Sequence, residues 1–113
     1  MAAIGQVVTV ANTPTLIFSV VDGVTYTANG YSRGSNPNIF IAGDANAPLP
    51  ILLGFASSNT IFLGGSTVAA SGGSVGYSAA GQTGLSYNCI GGDSLYGIVA
   101  SATQAVQLLV LRQ

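Results

Sequence analysis

Histidine, lysine, glutamate and tryptophan are all missing from this chain, and cysteine occurs once, as Cys89. Each absence removes a class of chemistry. Without histidine, no Ser–His or Cys–His nucleophile can be assembled, and no Cys/His metal cluster either. Without lysine, the phosphate-binding P-loop and the Ser–Lys dyad are excluded. A single cysteine forbids an intrachain disulfide, and a free thiol in an apolar context reads as a small buried hydrophobe made in a reducing compartment. Charge of either sign is scarce: 4% of the residues, carried by Arg33, Arg112, Asp22, Asp44 and Asp93, for a net charge of -1. Soluble domains ordinarily have about 25%. Two arginines cannot neutralise a run of phosphates, so no nucleic-acid partner is expected.

Long hydrophobic runs are missing too. No charge falls between Asp44 and Asp93, but Pro48, Pro50, Gly54, Gly64 and Gly65 interrupt that stretch, and no helical span of about 20 apolar residues fits. Strands of about 10 residues in strict alternation, the mark of a membrane barrel, are absent as well. No membrane partner is expected. The start, Met1-Ala2-Ala3-Ile4-Gly5-Gln6, lacks a basic region followed by an apolar run, so no signal peptide is read.

What is present is apolar and β-prone. The chain is 49% hydrophobic, which argues against disorder. Its 113 residues suit one domain spanning 1–113, large enough to bury a core without disulfides or metals. Glycines cut it into short runs rich in Val, Ile, Leu, Phe, Thr and Tyr. This punctuation predicts an all-β fold, a single antiparallel β-sandwich of jelly-roll or Ig-like type with about 8–10 short strands. Strands are expected near 5–11, 15–21, 24–28, 37–42, 49–56, 59–64, 73–78, 84–90, 94–101 and 104–111. The last has helix-compatible residues, but Val106, Leu108 and Val110 alternate with Gln107, Leu109 and Leu111, so a strand is preferred. Asp22-Gly23, Ser57-Ser58-Asn59, Gly91-Gly92-Asp93 and Ser101-Ala102-Thr103 read as turns, and 29–37 as an exposed loop.

Chemistry-bearing groups find bland explanations. Asp22, Asp44 and Asp93 each adjoin a glycine, as turn-shaping residues do, and form no acidic cluster for calcium or for glycoside cleavage. Gly72-Gly73-Ser74-Val75-Gly76 lacks the spacing of a dinucleotide loop and reads as a flexible loop or hairpin. Tyr26, Tyr31, Tyr77, Tyr87 and Tyr96 read as strand residues with hydroxyls at the rim, leaving a carbohydrate-binding module as a minor reading. Neither an enzyme, a metal nor a cofactor is expected.

The faces are unusual. A half-exposed strand should alternate apolar and polar, yet Leu16 and Phe18 oppose Ile17 and Val21, Ile61 and Leu63 oppose Phe62, and Leu95 and Val99 oppose Tyr96 and Ile98. Charges that commonly blunt sheet edges are missing. A neighbouring protein covering faces and edges would satisfy both; a closed small barrel with a neutral surface is the other solution.

The second half also carries a recognisable pattern. It runs Ile61-Phe62-Leu63-Gly64-Gly65-Ser66-Thr67-Val68, Ala70-Ser71-Gly72, then Gly92-Asp93-Ser94-Leu95-Tyr96-Gly97-Ile98-Val99-Ala100-Ser101, and ends Val106-Gln107-Leu108-Leu109-Val110-Leu111. Val8-Thr9-Val10 and Thr15-Leu16-Ile17 fit it as well. Over 50–111 the chain resembles the small β-sandwich virion structural proteins of tailed bacteriophages, while 22–50 is longer than that pattern and carries the Arg33 loop. The resemblance implies a structural part made in the host cytoplasm and located in the virion. The leading expectation is a capsid decoration or cement protein that binds the major capsid protein. A tail or fibre accessory contacting the host surface, or other virion partners, is the alternative. A homo-oligomer is expected, with a trimer suiting three-fold capsid positions. Exposed termini and loops would make the contacts: Ala2, Ala3, Ile4 and Gln6 at one end, Tyr31, Arg33 and Asn36 in the loop, and Leu111, Arg112 and Gln113 at the other end.

Overall fold

The computed structural model describes residues 4–22, 38–42, 48–55, 59–73, 75–79 and 84–111. Among them lie nine strands: β1 (Ile4–Val10), β2 (Thr15–Asp22), β3 (Ile39–Ala42), β4 (Leu49–Phe55), β5 (Ile61–Gly64), β6 (Tyr77–Ser78), β7 (Leu85–Cys89), β8 (Ser94–Val99) and β9 (Gln104–Val110). They form a four-stranded sheet, ordered β1-β9-β4-β7, and a five-stranded sheet, ordered β3-β2-β8-β5-β6. The two pack together as a β-sandwich. The expected strand at 24–28, the loop 29–37 and Asp44 lie outside the described residues.

Period-two burial builds the core. In β9, Gln104, Val106, Leu108 and Val110 point inward while Gln107 and Leu109 point out. Val8, Val10, Ile51, Leu53 and Cys89 join them from the four-stranded sheet; Ile17, Phe18, Val20, Phe40, Ile61, Leu63 and Val99 meet them from the other. At about 25 cal/mol per Å² of apolar surface, this interlayer is the main stabilising term. Gln104 is a polar residue in it, 1% exposed, and its Nε2 donates to the carbonyl of Ala105 at 3.1 Å.

Four departures from the expected fold have local causes. First, β2 and β3 run parallel, whereas the other pairs among the nine described strands are antiparallel. Second, the register of β2 against β8 shifts between Leu16 and Phe18. The bulge lets Ile17 and Phe18 both reach the core, instead of occupying opposite faces. Third, the expected strand 73–78 shrinks to Tyr77–Ser78, preceded by a lone bridge between Ala69 and Val75. Gly76 explains the loop's path, because its backbone lies so close to β5 that a Cβ there would sit 2.5 Å from the Leu63 carbonyl oxygen. Fourth, strand β5 starts at Ile61 and Asn59 serves the turns instead. Its Nδ2 donates to the carbonyls of Ser101 (3.1 Å) and Thr103 (3.2 Å), clamping the corner where the chain crosses from β8 to β9. Ala102 at that corner has φ 61°.

The 90–93 turn forms as its residues indicate. Gly92 has φ 98°, the backbone N–H of Ile90 donates to Asp93 Oδ2 at 2.9 Å, and that of Asp93 to the Ile90 carbonyl at 3.1 Å. The turn then docks on β2: the N–H of Val20 donates to the Asp93 carbonyl at 2.7 Å, and that of Gly92 to the Val20 carbonyl at 2.9 Å.

Candidate functional site

Two surface features could support function: a cleft at the rim of the sandwich and the outer face of the four-stranded sheet. The cleft holds about 200 Å³ and opens where β7 passes over β2 and β8. Phe18 and Leu95 line it from one sheet, Tyr87 and Cys89 from the other, and Asn88, Asp93 and Ser94 complete the lining. The rings of Phe18 and Tyr87 meet in a tilted arrangement with centroids 6.0 Å apart.

Electrostatics in this cleft disfavour ionisation of its thiol and its phenol. Burial, and secondarily the nearby Asp93 carboxylate, push the Cys89 thiol up to about 11. Burial also raises the Tyr87 phenol, with smaller contributions from Cys89 and Tyr77. The thiolate is the reactive form of cysteine, and here it is suppressed at neutral pH. Asp93 accepts the Ile90 N–H and shapes its turn, as its position beside Gly92 suggests.

The outer face of the four-stranded sheet carries several exposed apolar side chains and, among the described residues, no charge. Leu52 stands opposite Leu109 across β4 and β9. The N–H of Leu111 donates to the Pro50 carbonyl at 3.2 Å, which extends the same row. On the other side of β9, Val7 faces Gln107 and Gly5 faces Leu109. Val7 is 60% exposed, Leu111 42%, Leu109 39% and Leu52 38%. The neighbouring outward side chains are Thr9, Gln107, Ser86 and Asn88, all neutral. Exposed contiguous apolar surface rimmed by polar residues is the usual mark of an interaction site.

The strands that the sequence marks as apolar on both faces, β2, β5 and β8, lie in the other sheet. There, Ile98 and Val99 are both buried, and Phe62, Leu95 and Tyr96 are half-buried. Val68, from the segment after β5, is buried outside the main core and lies where a Cβ on Gly64 would meet it at 3.1 Å. The chain thus folds back over part of that outer face and covers it internally.

Of the expected contact residues, Leu111 lies on the exposed apolar face. Ile4 pairs with Val110 in the sheet. Gln6 turns inward with Val8 and Val10, is half-buried, and donates its amide N–H to Asn38 Oδ1. The Asn38 amide in turn donates to the Leu16 carbonyl at 3.2 Å. Gln6 therefore ties the two sheets together at their rim, where an outward contact was expected. Ala2, Ala3, Tyr31, Arg33, Asn36, Arg112 and Gln113 lie outside the described residues. Val7 and Leu52 escaped the sequence reading. Their outward direction follows from strand parity, but their adjacency to Leu109 depends on strand order.

In comparison with known proteins, the chain matches no family model, no curated protein and no solved structure.

Proposed function

We propose that this protein is a non-catalytic structural subunit that works by docking its four-stranded sheet against a larger assembly. The observation that carries this reading is the uncharged apolar face centred on Leu52 and Leu109. Burying such a face costs no ion desolvation, and each apolar Å² removed from water contributes about 25 cal/mol. Repeated over many copies, a modest contact becomes a large stabilisation.

The assembly we favour is a tailed-phage particle, with the protein as a capsid decoration or cement subunit on the major capsid protein. The likeness over 50–111 supports this choice, as does the scarcity of charge. A tail or fibre position, or a free sugar-binding module, would use the same scaffold differently. The test is light scattering of the full chain with and without purified empty phage shells. Co-migration with shells, lost in Leu52→Lys while the fold is retained, supports decoration. A chain that ignores shells, or whose Leu52→Lys variant binds them equally well, refutes it. Retention on a saccharide array instead would favour the sugar-binding reading.

A further inference from the structure

Among the described strands, four lie at sheet edges. β6 offers 2 residues, β3 offers 4 and β7 offers 5, whereas β1 offers 7. Among the described residues β1 pairs with β9 alone, in an unbroken register from Ile4↔Val110 to Val10↔Gln104. It carries no charge, no proline and no bulge, which are the devices that keep an edge from pairing. Its outer backbone N–H and C=O groups are a template for another extended strand.

We propose that β1 pairs antiparallel with β1 of a second copy, joining the two four-stranded sheets into one continuous sheet. An antiparallel strand is its own complement about a two-fold axis, so the contact closes after two copies. Val7 is the midpoint of β1. A two-fold axis there sets Val7 against Val7 of the other copy and Gly5 against Thr9. Val7, the most exposed aliphatic side chain of the apolar face, thereby gains a β-branched cross-strand partner. Uncharged edges bring no repulsion between the copies. The second copy also doubles the width of the face carrying Leu52 and Leu109, so the contact presents two docking faces side by side.

Light scattering of the full chain from micromolar to millimolar concentration tests this. A closed dimer is expected. Val7→Lys should weaken it by about tenfold or more, since like charges set directly opposite repel, and should keep the monomer's circular dichroism and Tm. Val7→Cys should form an interchain disulfide under mild oxidation, because directly opposed strand residues have Cα atoms about 4.5–5.5 Å apart, within disulfide reach. Thr9→Cys, opposite Gly5, should not. Cys89, 3% exposed, does not compete. Leu52→Lys, two strands away from β1, should leave the dimer intact. A monomer at every concentration, a closed trimer, or oligomers that grow without limit would overturn the proposal. So would a dimer that survives Val7→Lys and leaves Val7→Cys unlinked. The inference is independent of the proposed function: a chain that dimerises through β1 yet ignores shells keeps the one and refutes the other.

Discussion

Replacing Asn59 and Ala102, singly and together, probes how the chain turns from one sheet into the other. The Asn59 amide donates to two backbone carbonyls across the corner, at 3.1 and 3.2 Å. A hydrogen bond contributes about 0.5–1.5 kcal/mol net, toward the lower end where water can replace it. Asn59→Ala should therefore cost about 1–2 kcal/mol. For a domain of this size that lowers Tm by roughly 4–8 °C per kcal/mol. Ala102 sits at φ 61°, where a Cβ costs roughly 1–2 kcal/mol. Glycine removes that strain but adds about 0.4–1 kcal/mol of unfolded-state entropy. Ala102→Gly should stabilise by about 0.5–1 kcal/mol. The two changes share one turn and should not add: once glycine takes the left-handed conformation unaided, the Asn59 clamp has less strain to hold. The double variant should be more stable than the sum of the singles predicts, by about 0.5 kcal/mol or more, as contacting residues commonly show. Urea and thermal denaturation followed by circular dichroism read all four proteins. A lower Tm for Ala102→Gly, or an unchanged Tm for Asn59→Ala, would refute this account of the corner.

Two further perturbations follow from the packing. Gly76→Ala places a Cβ 2.5 Å from the Leu63 carbonyl oxygen and 2.5 Å from Val68 Cγ2. Backbone cannot yield cheaply, so a loss of about 1–3 kcal/mol is expected by urea denaturation. Gly65→Ala, which meets nothing within 4 Å, should stay within about 0.5 kcal/mol of the parent. The Cys89 thiol is raised from 9.0 to about 11 in the fold, so the native state favours the protonated form. Its contribution is fully present below pH 9 and is lost as pH rises through 11. The urea midpoint should fall over that window, and less steeply in Cys89→Ala; a flat midpoint in the parent would contradict the burial of the thiol.

Much of the fold is legible because strands declare their faces. The alternation of Val106, Leu108 and Val110 with Gln107 and Leu109 marks β9 as a half-buried strand against its helix-compatible composition, and the structure bears it out. Gly91-Gly92-Asp93 is legible as a turn because positive φ and a short carboxylate are local requirements, met by Gly92 and by the Ile90–Asp93 hydrogen bond. The candidate site is legible only by halves. Leu109 and Leu111 declare an outward apolar direction, but the row they form with Leu52 and Pro50 arises from pairing β9 with β4. Residues more than 50 positions apart in the chain carry no local signal of that kind.

The sequence by itself therefore determined the class of fold and the chemistry withheld from the protein. Scarce charge, absent histidine and lysine, and period-two apolar runs act residue by residue, and any arrangement of the chain must respect them. Tertiary structure alone decided which strands became neighbours. It made β2 and β3 parallel, absorbed Ile17 into a bulge and turned Gln6 inward to Asn38. It covered part of the outer apolar surface of one sheet and left that of the other exposed, and among the described residues it left β1 paired on one side only. The physical reason is that burial is a property of two surfaces. A strand's sequence specifies which side is apolar, and only the packing of distant segments decides whether that side meets the chain's own atoms, water or another molecule.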